Sequence, residues 1–193
     1  MAARRSKAPA RADATPVAGL GEARLHRVLG YQVAQAGVVT YALYEQLVGK
    51  PLDLRPAEYT VLTLVIENPD VSPAELSAAL AVSRPYVTNT IDKLSSRGLV
   101  TRDPSAHDRR SQHLQTTDAG RALASRATTL LVQGEKDAFT TLSEAEQMML
   151  AELLHKLACV RQANPRASVR LASTRQEQAA PAPHRGERAA RRK

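Results

Sequence analysis

Tryptophan is absent from this chain, and phenylalanine and cysteine occur once each. Aromatic side chains make up only 3% of 193 residues, although 43% are hydrophobic. A core of this composition, rich in Ala and Leu, is expected to come from helices meshing aliphatic side chains. The single cysteine, Cys159, excludes an internal disulfide and fits a reducing cytoplasm. No run approaches the ~18 apolar residues of a bilayer span, so no membrane association is expected. The basic N-terminus has no apolar stretch behind it and does not read as a secretory signal. There is no Gly-rich phosphate loop, and no nucleophile has a base and an orienting partner near it in sequence. The chain is therefore not expected to be an enzyme or to need a cofactor.

What is abundant is positive charge, and its distribution matters more than its net value of +8. Residues 1–17 carry four basic and one acidic residue, and residues 161–193 carry nine basic and two acidic. Both segments are rich in Ala, Pro, Arg, Ser and Gln, which bury too little apolar surface to fold alone. They read as disordered tails around a single domain, residues 18–160, which is net −2. Within that domain the segment 84–126 is +4 and the remainder −6. A folded unit polarised in this way carries part of the electrostatic footprint of nucleic-acid binding.

Apolar residues at threes and fours, from Leu25 and Val28 through Leu43 and Leu47, predict a long amphipathic helix over about 20–48. Gly49 and Pro51 are expected to end it. A second helix is predicted from Pro56 to Glu67. Ser72-Pro-Ala-Glu75 is a capping box with proline at the first helical position, opening a short helix that breaks near Ala81. Ser83 then caps a helix from Arg84 to Arg97, closed by Gly98. Two helices joined by so short a turn form a helix-turn-helix. Residues 99–103 and 111–116 alternate as two strands, a hairpin wing beside it. Thr117 is expected to cap a helix from Asp118 to Phe139, weakened or kinked at Gly134. Ser143-Glu-Ala-Glu146 is a second capping box and starts a last helix reaching about Arg161.

At about 100° per residue, Val87, Ile91 and Leu94 form one stripe of the 84–97 helix and must face the core. The opposite side carries Pro85, Asn89, Lys93 and Ser96, flanked by Arg84, Tyr86 and Thr88. These are groups that suit a major groove: Asn pairs with adenine edges, Arg or Lys with guanine, Thr or Ser with bases or phosphate. An isolated helix with such a face would more often be merely solvated. Its place between a capped helix and a hairpin favours DNA reading. In the wing, Asp108 is expected to orient Arg110 into a minor groove, where a narrow A·T-rich tract concentrates negative potential. Arg109 would meet the adjacent phosphate. The plain alternative, a surface turn with one ion pair, would contribute only ~0–1 kcal/mol.

Residues 54 to 157 resemble the MarR family of bacterial transcription regulators. The resemblance rests on Leu54-Arg-Pro-Ala-Glu-Tyr-Thr-Val-Leu, on Ser72-Pro-Ala-Glu-Leu-Ser-Ala-Ala-Leu, and on Ser83 to Leu99 ending Leu94-Ser-Ser-Arg-Gly-Leu. It rests also on Asp108-Arg-Arg-Ser111, like the wing signature Asp-x-Arg, and on Thr117-Asp-Ala-Gly120, like the Thr-x-x-Gly start of the next helix. Thr116 departs from the pattern, since the family usually has an apolar residue there. The resemblance implies a mainly α fold, a winged helix-turn-helix (about 54–117) with a two-stranded β-wing and long N- and C-terminal dimerisation helices (about 20–48 and 118–160). It implies a homodimer whose recognition helices meet successive major grooves of a palindromic double-stranded operator. By the same resemblance the chain is a cytoplasmic repressor released by a small aromatic or phenolic acid. His26, Tyr31, Tyr41, Tyr44, Arg55 and Tyr59, with Arg27 nearby, are the candidate effector contacts, though each reads as readily as a packing residue.

Cys159, among Leu157, Ala158 and Val160, reads as a small apolar filler. His107, Asp108 and His113 match no regular metal spacing, and no metal is expected. The basic tails keep one other function class open, a non-specific nucleic-acid-binding or architectural protein. A protein-interaction module with a vestigial wing is the other alternative. Selective binding to an operator separates a regulator from both.

Overall fold

The structure is a computed structural model; it describes residues 14–104 and 112–163, with the backbone alone at 103, 104, 112 and 161–163. The described chain is mainly helical, with one two-stranded sheet. The first long helix, α1, spans Leu29–Tyr44 and passes through a π-helical turn, Glu45–Gly49, into a short α2, Lys50–Leu52. This corrects the expected span of 20–48 at both ends. Residues before Leu29 form turns instead, with an isolated bridge between Ala14 and Gly21 and a turn in which the amides of Leu25 and His26 donate to the Glu22 carbonyl. The Glu22 carboxylate accepts the Tyr31 hydroxyl at 2.6 Å and holds these turns against the start of α1. At the other end, Pro51 does not stop the helix. In a regular helix its ring would meet the Leu47 carbonyl four residues back. The wide π turn relieves that clash, and the Lys50 amide donates to the Glu45 carbonyl five residues back.

Asp53, in the left-handed conformation (φ 46°, ψ 49°), ends this arm. Then α3, Pro56–Glu67, buries Val61, Leu62 and Val65. Both expected capping boxes form. Ser72 starts α4, Pro73–Leu80, with its amide donating to the Glu75 carboxylate at 2.8 Å and its hydroxyl accepting from the Glu75 amide. Ser143 and Glu146 repeat the arrangement at the start of α7, Glu144–Ala163.

Ser83 caps α5, Arg84–Ser96, through the Tyr86 amide. Gly98, at φ +68°, closes it with the paired bonds of a Schellman motif, Gly98 to Ser95 and Leu99 to Leu94. The chain then pairs β1, Val100–Pro104, antiparallel with β2, Gln112–Thr116, placing Arg102 opposite Leu114.

Thr117 caps α6, Asp118–Ala138, accepting from the Gly120 amide at 3.1 Å and donating to the Gly98 carbonyl at 2.7 Å. Gly120 sits against the base of the wing so closely that a Cβ would strike the carbonyl oxygen of Leu99, just before β1, and lie 2.7 Å from Thr116 Cγ2 at the end of β2. Gly134 lies inside one continuous helix, Asp118–Ala138, where its missing side chain leaves room for Leu47 of the π turn.

The core is aliphatic, as the shortage of aromatics requires: Val48, Leu54, Leu62, Leu76, Val87, Ile91, Leu94 and Leu114 are fully buried. Outside it, a long series of apolar side chains stays exposed on α1 (Leu29, Val33, Val38, Val39) and on α7 (Met149, Leu150, Leu153, Leu154, Leu157).

Candidate nucleic-acid interface

Helix α5 presents two faces. Val87, Thr90, Ile91 and Leu94 are buried, while Arg84, Pro85, Tyr86, Thr88, Asn89 and Lys93 are exposed. The six side chains expected to face DNA therefore lie together on the outer surface of one helix, free of the core. The positive end of the helix dipole lies at the same end and suits a phosphate, although the Tyr86 amide is already taken by the Ser83 cap and Pro85 has none to offer.

Two residues that the sequence reading did not single out shape this surface. Asp92 lies beside the outward face, and its carboxylate pairs with the Arg102 guanidinium on β1. The pair joins the reading helix to the wing. A signal for it existed: strand alternation puts Arg102 on the same side of β1 as buried Val100. A cation on the inner face of a strand calls for an anion on the helix behind it.

The wing is also fastened on its far side. The Leu114 amide donates to the Val71 carbonyl, and Gln115 Nε2 donates to the Asp70 carboxylate at 2.6 Å. His113 Nδ1 lies 2.6 Å from the Asp70 carbonyl. A carbonyl only accepts, so the imidazole carries its proton on Nδ1. Asp70 holds a left-handed φ of 66° in this role. The charged tip expected to carry Asp108, Arg109 and Arg110, together with His107, lies outside the described residues.

Thr116, the departure noted in the sequence, is buried, and its hydroxyl has no hydrogen-bond partner among the described residues. The fold accommodates it because its methyl packs beside Gly120.

The candidate effector residues separate into three groups. Tyr44 is 9% exposed and donates its hydroxyl to the Leu54 carbonyl at 2.9 Å. Burial pushes its pKa well above the ordinary value, as do nearby Tyr59, Glu45 and Glu58, so it stays a neutral donor committed to the core. Tyr59 is tilted against it at 6.1 Å between ring centroids, with its hydroxyl 2.8 Å from that of Thr128 on α6. Tyr31 forms a second group with Glu22, whose carboxylate raises the phenol's pKa by accepting its hydrogen bond, and with His26, 3.9 Å from the same carboxylate. Tyr41, Arg55 and Arg27 are exposed, and the Arg55 carbonyl accepts the Tyr59 amide at 2.9 Å. An open depression of about 310 Å³ between α3 and α4 is lined by Leu64, Asn68, Asp70, Val71, Glu75 and Leu76 among others, and by none of these candidates. Cys159 is half-buried on α7, its sulfur 3.7 Å from His155 Nε2.

Among the described residues no helix is long and apolar enough to cross a membrane. The sequence model of the MarR family matches residues 52–111. The chain is similar to the transcriptional repressor CouR in its structure bound to a 23-mer DNA duplex, at 32% identity and a TM-score of 0.67, over 72% of this chain and 98% of that one. It is similar to a mutant MarR from E. coli complexed with operator DNA, at 27% identity and a TM-score of 0.60, over 67% of this chain and 92% of that one. A putative transcriptional regulatory protein for the hcr operon of Thauera aromatica is 27% identical over 129 residues, 67% of this chain and 78% of that protein. These relatives are regulators of transcription, not enzymes.

Proposed function

The chain belongs to the MarR family of DNA-binding transcriptional regulators, and from that premise we propose that it is a homodimeric repressor of a palindromic operator, released by a small aromatic acid. The observation that carries the dimer is the apolar surface left open on α1 and α7, where Val38 is 67% exposed and Leu153 54%. Two such helices at opposite ends of the chain suit a partner carrying the same two helices, which is the closed isologous arrangement. A two-fold dimer presents two α5 helices, and two reading helices ask for two inverted half-sites about one DNA turn apart.

Repression is supported by the likeness to CouR, a repressor held on duplex DNA. For the effector, Tyr44 is unavailable, which leaves Tyr41 and Tyr59 as the aromatic contacts near the reading head. Arg55 is the cation nearest in sequence for a carboxylate. A ligand there shifts operator affinity only by its differential binding to two arrangements of the reading helices.

The test is to let the purified protein select fragments from genomic DNA and to sequence them. An inverted repeat with half-site centres about 10 base pairs apart supports the reading. Sequence-independent recovery supports an architectural protein instead, the reading favoured by the basic segments at 1–17 and 161–193. A panel of aromatic acids is then screened for thermal stabilisation and for loss of operator binding. If none does either, the effector part is wrong.

A further inference from the structure

Arg97 stands at the C-terminal end of the reading helix, one turn beyond Lys93 and opposite the end that carries Arg84, Pro85 and Tyr86. It lies thirteen positions beyond Arg84, about 20 Å along a helix axis. Its backbone caps α5, and its side chain leaves that helix altogether. Nη1 donates to the Asp53 carbonyl at 2.6 Å and Nη2 to the Leu52 carbonyl at 3.2 Å. The same Nη1 lies 3.6 Å from the Glu58 carboxylate.

Each acceptor has a reason to want this cation. Leu52 and Asp53 end the α1–α2 arm, where the last carbonyls lack helical donors and carry the negative end of the helix dipole. The left-handed turn at Asp53 ends the helix there, and Arg97 supplies the donors from a residue 44 positions along the chain. Glu58 is only 6% exposed and also accepts the Arg55 amide at 3.0 Å, so it fixes the start of α3. A carboxylate so nearly buried needs a positive partner. One planar guanidinium therefore joins the end of the α1–α2 arm, the start of α3 and the end of α5.

We propose that Arg97 is a positioning residue for operator recognition: without touching DNA, it fixes the reading helix on the dimerisation arm and so sets the spacing between the two reading helices of a dimer. The proposal rests on the dimeric, two-half-site reading above. A fork with two parallel donors can hold two adjacent carbonyls in one plane, whereas a lysine ammonium is a point charge on a flexible stem. Charge alone is not sufficient.

The test compares wild type with Arg97→Lys and Arg97→Gln on the selected operator and on the same operator with one base pair inserted at its centre. Both variants should lose about tenfold or more on the native spacing. They should lose less on the altered one, with the salt dependence unchanged. Full rescue by lysine, or a fall of ~0.9 per subunit in the log–log salt slope, would make Arg97 a phosphate contact and overturn the proposal. A lowered melting temperature with the spacing preference intact would overturn it too. Nitroxides at Gln35→Cys on α1 and Lys93→Cys on α5, in a Cys159→Ser background diluted with unlabelled protein, give a readout that needs no operator. The distance distribution should broaden in Arg97→Lys. An unchanged distribution defeats the proposal even if the protein selects no palindrome, which is a failure of the functional reading alone.

Discussion

Asn89→Ala removes a candidate base-edge contact worth ~1–3 kcal/mol of discrimination when bidentate. It should relax preference at one symmetric pair of operator positions and leave the salt slope nearly unchanged. Arg110→Ala should instead weaken binding to all sequences, with up to ~1 lost from the slope per subunit. Asp108→Ala should share part of that loss if Asp108 aims Arg110, and tighter binding of this variant at fixed salt would reject the aiming role. Deeper in the fold, Thr116→Val replaces a buried hydroxyl that has no partner among the described residues with a methyl of similar shape. Chemical denaturation should show a gain of about 1 kcal/mol. Gly120→Ala should cost about 2–3 kcal/mol or more, because the obstacle is the Leu99 backbone carbonyl. At Gly134 the obstacle is the end of the Leu47 side chain, which can turn away. Alanine there also gains ~1 kcal/mol of helix propensity, so its net effect should be much smaller. Thr116 was legible as a departure from the family pattern, and Gly120 as part of one. Asp92 was legible only indirectly, through the inward place of Arg102 on its strand, and Arg97 was not legible, because its partners lie on other elements and no local spacing reports them.

At the level of elements, legibility followed the chemistry of helix ends. Ser72 with Glu75, and Ser143 with Glu146, are local devices written within four residues, and both form where expected. They also set an acid limit. The serine hydroxyl and amide hold each glutamate below its ordinary pKa of 4.5. A carboxyl depressed in the folded state contributes stability above its unfolded pKa and loses it as pH falls through the folded value. The melting temperature should therefore drop on acidification below about pH 4.5, and less steeply in Glu75→Gln and Glu146→Gln, which start lower at neutral pH. An acid limb of unchanged steepness in both variants would assign the acid sensitivity to other carboxylates. Helix α1 was misread because its apolar period continues upstream into Leu20 and Leu25, which stay exposed in turns held by Glu22 and Tyr31. Apolar spacing alone therefore settles neither whether a segment is a helix nor whether its side chains are covered. The π turn was invisible for a different reason: Gly49 and Pro51 are ordinary stop signals, and the burial of Val48 and the packing of Leu47 against Gly134, which favour continuing the arm, are contacts with distant elements.

For the whole molecule, the separation of charge predicts that residues 1–17 and 162–193 can be removed without loss of folding or operator choice. Non-specific binding should weaken and its salt dependence flatten, each lost phosphate contact changing the slope by ~0.9. An unfolded truncation product would show that these segments belong to the fold. Sedimentation at micromolar concentration should give a dimer; a monomer would leave the apolar faces of α1 and α7 without an occupant. Those faces have a thermodynamic corollary. If they are covered only by another copy, folding and assembly are a single equilibrium, and protein concentration acts on it as a ligand would. The melting temperature should climb with each tenfold increase in concentration, and dilution alone should act as a mild denaturant. A cell holding few copies would then set the persistence of this regulator partly by how many it makes.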